Sequence, residues 1–178
     1  MREIPLLFAG QARGIRLCDG GLAPANCPGA AAGGIPRPGA FPVGRLDRDT
    51  TGLLLLTNDG DYAHKVISPR SKVEKCYLAE TEAPVTSEDA AAFAEGLILA
   101  DGTRCLPAEL EPLDGNYCLV RVMEGKYHQV KRMLASRGKP VTRLRRLSIG
   151  ALSLPPASEP GELRELDESA KNLALTQL

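Results

Sequence analysis

The stretch from Pro42 to Gly60, P-V-G-R-L-D-R-D-T-T-G-L-L-L-L-T-N-D-G, constrains this chain more than any other. It opens with Gly44 beside Arg45, Leu46 and Asp47. It then adds Asp49, Thr50 and Thr51 before passing through Gly52 into the apolar run Leu53–Leu56. Such a run, closed by the turn residues Asn58-Asp59-Gly60, reads as a strand buried on both faces. A loop with charge and hydroxyls just before a buried strand is rigidly anchored, and enzymes commonly set reacting groups on such loops. The residues alone leave two meanings open. Asp47 is either a carboxylate held near a cation, able to act as nucleophile or base, or part of a turn in which Asp49, Thr50 and Thr51 satisfy backbone donors.

A second segment bears on that choice, E-G-K-Y-H-Q-V-K-R-M from Glu124 to Met133. With G-R-L-D-R-D-T-T-G-L-L-L-L-T-N-D-G before it, the pair resembles the two signatures of the RsuA-like family of bacterial ribosomal-RNA pseudouridine synthases, in the expected order. The resemblance spans about residues 41–166 and implies an α+β fold, the pseudouridine synthase catalytic fold, with a mixed and largely antiparallel sheet and flanking helices. It implies Asp47 as the catalytic carboxylate, as nucleophile or base, and Lys131 as its ion-pair partner. Tyr77, in E-K-C-Y-L, matches the family's tyrosine on the strand after the catalytic loop. The family needs neither cofactor nor metal. Because the bond between ribose and uracil lies inside the nucleotide, the uridine must be flipped into a pocket. Arg45, Arg48 and Lys126 are then phosphate contacts suited to cationic side chains. Arg132 is a further RNA contact, and His128 and Gln129 either meet RNA or orient the motif helix. The expected partner is ribosomal RNA or an assembling subunit, small-subunit 16S rRNA before the large-subunit 23S molecule. A non-catalytic RNA-binding protein that keeps these motifs is the competing reading.

The rest of the chain fits a soluble globular protein. Its 178 residues allow one ordinary domain with a small appendage, and 43% hydrophobic residues permit a real core. No apolar run approaches a membrane span. Cys18, Cys27, Cys76, Cys105 and Cys118 are scattered without C-x-x-C or paired His spacing. That speaks against zinc and a disulfide framework, and for a reducing cytoplasm; a monomer is expected. There is no P-loop and no G-x-G-x-x-G. Net charge is zero, yet nine cations lie between Arg121 and Arg146 with Glu124 as the one acid among them. A basic segment of this kind predicts a phosphate-binding footprint.

Residues 1–40 form a Gly-, Ala- and Pro-rich segment expected to be irregular, with one short strand around Ile4–Phe8. They do not match the family, whose members begin the domain with a strand and often carry a small RNA-binding domain before it. A missing first strand would expose a sheet edge. The catalytic domain is placed at 41–178. Patterning there predicts helices over 61–68 (capped by Asp59), 90–96, 127–137 and 165–175. Strands are predicted over 53–57, 72–81, 97–99, 105–113, 117–123, 141–147, 149–154 and 161–166.

Overall fold

A computed structural model describes residues 40–158, 162 and 164–177. The short strand expected near residue 4 lies outside them, as do residues 161 and 163 of the edge strand expected over 161–166, whose described residues hold no strand beyond a bridge residue at Glu165. Strand β1 (Phe41–Pro42) pairs antiparallel with β3 (Leu56–Thr57), and β2 (Thr50–Gly52) lies between them in sequence. Then follow α1 (Gly60–Ile67), β4 (Lys75–Thr81), α2 (Ser87–Glu95), β5 (Glu109–Pro112) and β6 (Tyr117–Val122). The chain ends with α3 (Gln129–Ser136), β7 (Val141–Ile149), β8 (Leu152–Ser153) and α4 (Glu168–Leu173). The main sheet runs β2-β7-β4-β6-β5, with β8 paired to β7. Every pairing is antiparallel except β2 with β7. The class is therefore α+β with a mixed, largely antiparallel sheet.

Two apolar clusters hold the elements. In the first, α2 and α3 cover one face of the sheet, bringing Phe93, Val130, Met133 and Leu134 onto Ala79, Cys118, Val120 and Leu144. The α3 stripe is the one its i, i+3, i+4 spacing predicts. In the second, α1 contributes Tyr62, Ala63 and Val66, which pack on Leu53, Leu55, Val73 and Ile149. Local chemistry starts the helices where the sequence suggests. Asp59 caps α1 by accepting from Tyr62 N at 3.0 Å, and Thr86 with Asp89 forms a reciprocal capping box on α2. Cys76, Cys105 and Cys118 are free and buried.

Several boundaries differ from the pattern-based expectation. The Leu53–Thr57 run is buried throughout, but it is not one strand in one sheet. Pairing to β7 ends at Gly52 and pairing to β1 begins at Leu56, so the leucines bridge two sheets. The expected pair over 97–99 and 105–113 shrinks to a single bridge, Ile98 to Arg104, with β5 starting at Glu109. Helix α3 begins at Gln129 rather than Tyr127, because His128 adopts a left-handed conformation with φ of 48°. Strand β7 continues through Ser148 to Ile149 before Gly150 turns the chain into β8. The last helix covers six residues rather than the expected 165–175.

Candidate active site

The loop that carries Asp47 is fastened at both ends. Before it, Val43 N donates to Leu55 O at 2.8 Å; after it, Leu53 N donates to Arg146 O at 2.9 Å. The Arg146 side chain completes the clamp, its Nε donating to Leu53 O at 2.7 Å. Gly52 makes the approach possible: its φ is +106°, and a Cβ there would lie 2.1 Å from Arg146 O. Between the anchors, Thr50 N donates to Asp47 O at 2.9 Å and closes a tight turn. That turn presents the Asp47 carboxylate with 27% of its side chain exposed.

Helix α3 and its N-cap residue bring nitrogen groups to this carboxylate. Lys131 Nζ lies 3.6 Å from Asp47 Oδ2 and is also bonded to Asp49 Oδ1. His128 Nε2 lies 3.4 Å from Asp47 Oδ1. Asp49 is held below the ordinary carboxylate range, chiefly by its hydrogen bond from Lys131, against a smaller opposing effect of burial. One lysine thus serves two carboxylates.

Glu124 fixes the approach to α3 from below. Its side chain is buried and accepts from Gln129 Nε2 at 2.7 Å, from Leu106 N at 2.8 Å and from Lys126 Nζ. Gln129 in turn accepts from Lys126 N at 2.9 Å, and Lys126 Nζ donates to Arg104 O at 2.6 Å. The result is a cleft of about 90 Å³ walled by Arg45, Leu46, Asp47, Thr50, Tyr77, Val122, Leu144 and the segments 124–126 and 128–130. Half-buried Tyr77 packs on the first apolar cluster, so the carboxylate faces a ring and aliphatic walls.

Of the residues singled out in the sequence, Arg45, Asp47, Tyr77, Lys126, His128 and Gln129 line this one cleft, and Lys131 reaches into it. Arg48 is exposed on the turn and outside the lining, and Arg132 points to an ion pair with Asp101. Gln129 is buried within the Glu124 network. The continuous basic footprint expected over 121–146 is not present as such. Arg121, Lys126, Lys131, Arg132, Arg137 and Arg143 each meet a carboxylate, and Arg146 is buried. Apart from Glu124, two residues from Lys126, their partners lie in other segments of the chain, so a linear charge count could not reveal the pairing. Glu124 as a hub, Asp49 as a Lys131 partner and Arg146 as a clamp were missed as well. For Asp49 the spacing two residues beyond Asp47 was the available signal; for Arg146 there was none.

The class follows from fold and site together. A solved pseudouridylate synthase superposes with a TM-score of 0.80 and 32% sequence identity, covering 98% of this chain and 75% of that one. The family model described as RNA pseudouridylate synthase matches residues 37–136, and the chain belongs to that family. Among curated relatives, the uncharacterized RNA pseudouridine synthase YtzG of Bacillus subtilis (strain 168) is 44% identical over 137 residues, 75% of this chain and 57% of that protein. The ribosomal small subunit pseudouridine synthase A of Salmonella typhimurium is 47% identical over 129 residues, covering 71% of this chain and 55% of that protein. Its Escherichia coli (strain K12) counterpart is 45% identical over the same length. The chain therefore spans a little over half the length of these relatives.

Proposed function

We propose that this protein is a pseudouridine synthase that isomerises a uridine in ribosomal RNA, with small-subunit 16S rRNA as substrate and Asp47 as the catalytic carboxylate. The observation that carries the reading is Asp47 in a cleft with Lys131 Nζ at 3.6 Å, His128 Nε2 at 3.4 Å and Tyr77 on the same wall. Membership of the family and the names of the small-subunit relatives support the substrate class.

In this reading the target uridine leaves its stack and enters the cleft. The bond from ribose C1′ to uracil N1 breaks, the base turns, and C1′ bonds to C5. The hydrogen of C5 leaves as a proton and N1 takes one up, so the change is an isomerisation with no redox partner. Asp47, with Lys131 beside it, attacks as nucleophile or acts as base on the ribose. Tyr77 stacks on the base and assists removal of the C5 proton. Arg45 and Lys126 at the cleft take the phosphates that flank the flipped nucleotide. Arg48, His128, Gln129 and Arg132 are further contacts or supports for the RNA. The protein works in the cytoplasm as a monomer without cofactor. No described helix is long and apolar enough to cross a membrane.

Release of tritium from C5 of labelled small-subunit rRNA tests this directly. The wild type is expected to release it. Asp47→Asn should abolish release while still retaining RNA on a filter. Wild-type turnover by that variant refutes the assignment of Asp47. RNA retained without release by the wild type would make the protein a non-catalytic RNA binder.

A further inference from the structure

Tyr127 is the most exposed large apolar side chain among the described residues, at 68%. Its ring is not loose. It stacks on the His128 imidazole, centroid to centroid 3.9 Å apart and 16° from parallel. His128 itself lines the cleft with Nε2 beside Asp47. The stacked pair therefore stands at the cleft's rim, one ring inside and one outside.

The backbone beneath the pair is fixed before any ligand arrives. His128 holds a left-handed conformation that a residue with a Cβ adopts only when its surroundings impose it. Gln129 N donates to Lys126 O at 3.1 Å and Arg132 N to His128 O at 3.0 Å, while Gln129 Oε1 accepts from Lys126 N. Arg132 Nη1 also donates to Tyr127 O at 3.4 Å. Planar rings held rigidly beside a cleft offer a π-face to another planar group at little ordering cost.

We infer that the Tyr127–His128 ring pair is a stacking platform for the nucleobase adjoining the nucleotide that enters the cleft. The inference rests on the proposed RNA-modifying reading and deepens it. A strand whose target base leaves the stack loses a neighbour on either side, and an aromatic face beside the opening replaces the lost contact. Stacking of this kind tolerates any base, so Tyr127 contributes affinity and register rather than base identity.

The chain contains no tryptophan, so Tyr127→Trp introduces a single indole as reporter. Titrating this full-length variant with small-subunit rRNA or oligouridylate should quench its emission. An abasic ribose-phosphate oligomer of the same length should not. In the tritium assay, Tyr127→Ala should raise KM about tenfold while leaving kcat nearly unchanged. Tyr127→Phe should behave as wild type, since the ring and not the hydroxyl does the stacking. Unchanged emission while a filter assay shows the rRNA bound would overturn the platform, as would quenching by the abasic oligomer equal to that by oligouridylate. Quenching by oligouridylate without tritium release from the wild type would support the platform and sink the synthase reading instead. Absence of RNA binding by the wild type would overturn both.

Discussion

Lys131 stands between Asp47 and Asp49, and the two carboxylates are not equivalent. Asp49 is mostly exposed, whereas Asp47 sits against Tyr77 and the aliphatic wall of the cleft. An ion pair in a partly desolvated setting is worth far more than one in water. Losing the cation therefore weighs on Asp47 and leaves Asp49 with its hydration. Arg132, the neighbouring cation on the same helix, is turned about 100° away and pairs with Asp101 outside the cleft. Lys131→Ala is accordingly expected to lower kcat by about 100-fold, the scale seen when one electrostatic contact to a reacting centre is lost. Arg132→Ala should leave kcat nearly intact, with its cost confined to KM for RNA. Single-turnover tritium release on saturating rRNA separates the two. A larger kcat loss for Arg132→Ala would place the other helix face at the chemistry.

Strand β2 has three residues, yet it positions the whole turn that carries Asp47. Its parallel pairing sets Thr50, Thr51 and Gly52 against Leu144, Arg145 and Arg146, and the closest approach is at Gly52. Any Cβ at Gly52 meets backbone atoms of β7 at 2.1–2.9 Å, and its φ of +106° is unfavourable for an L-residue besides. Gly52→Ala must therefore push β2 off β7. It should destabilise the protein by more than about 2 kcal/mol and abolish turnover as Asp47 moves with the strand. Urea unfolding followed by circular dichroism, beside the tritium assay, checks both parts; wild-type stability would mean that β7 yields at no cost. The same strand marks what the sequence could and could not tell. Four consecutive leucines signal burial on every side, and that is what Leu53–Leu56 have. Hydrophobicity reports burial and not ladder partners, so the switch from one sheet to another was illegible. Asp114-Gly115-Asn116 carries the residue types of a hairpin turn and joins β5 to β6. The late start of α3 escaped because histidine, though enriched among non-glycine residues at positive φ, adopts such a conformation in only a small minority of positions.

Across the whole molecule, charge is arranged by folding and not by order along the chain. The cations that looked like a basic patch are spread over sheet, helix and core, while the residues that define the cleft come from four distant segments. The two motifs singled out Asp47 and Lys131, and the separate string E-K-C-Y-L singled out Tyr77. The Glu124 network and the Arg146 clamp needed three-dimensional information. Lys75 is the extreme case. It is buried with 8% exposure, donates to Val66 O at 3.1 Å and Val73 O at 2.6 Å, and is pushed down to about 8, first by burial and then by repulsion from Arg146. Below pH 8 the lysine is protonated folded and unfolded, and the cost of burying its charge is fully present. From pH 8 towards its ordinary value of 10.5, the folded protein releases this proton and the unfolded chain keeps it, so stability rises with pH. Cys76, Cys105 and Cys118, all raised by burial and Cys118 to about 11, work in the opposite direction as pH approaches and passes 9, and Tyr62, raised to about 12 by burial and then by Glu168, does so above pH 10. The Lys75 contribution is therefore read at pH 8–9 as a difference from a variant that lacks the amine and keeps the thiols. Between those limits the unfolding free energy of the wild type should increase, relative to that variant, by about 1 kcal/mol, the scale of one proton's linkage. Lys75→Met, which keeps the aliphatic stem, is that variant and should show no such rise. Urea midpoints at pH 8, 8.5 and 9 decide the matter, since a parallel rise in the variant would assign the effect to another group.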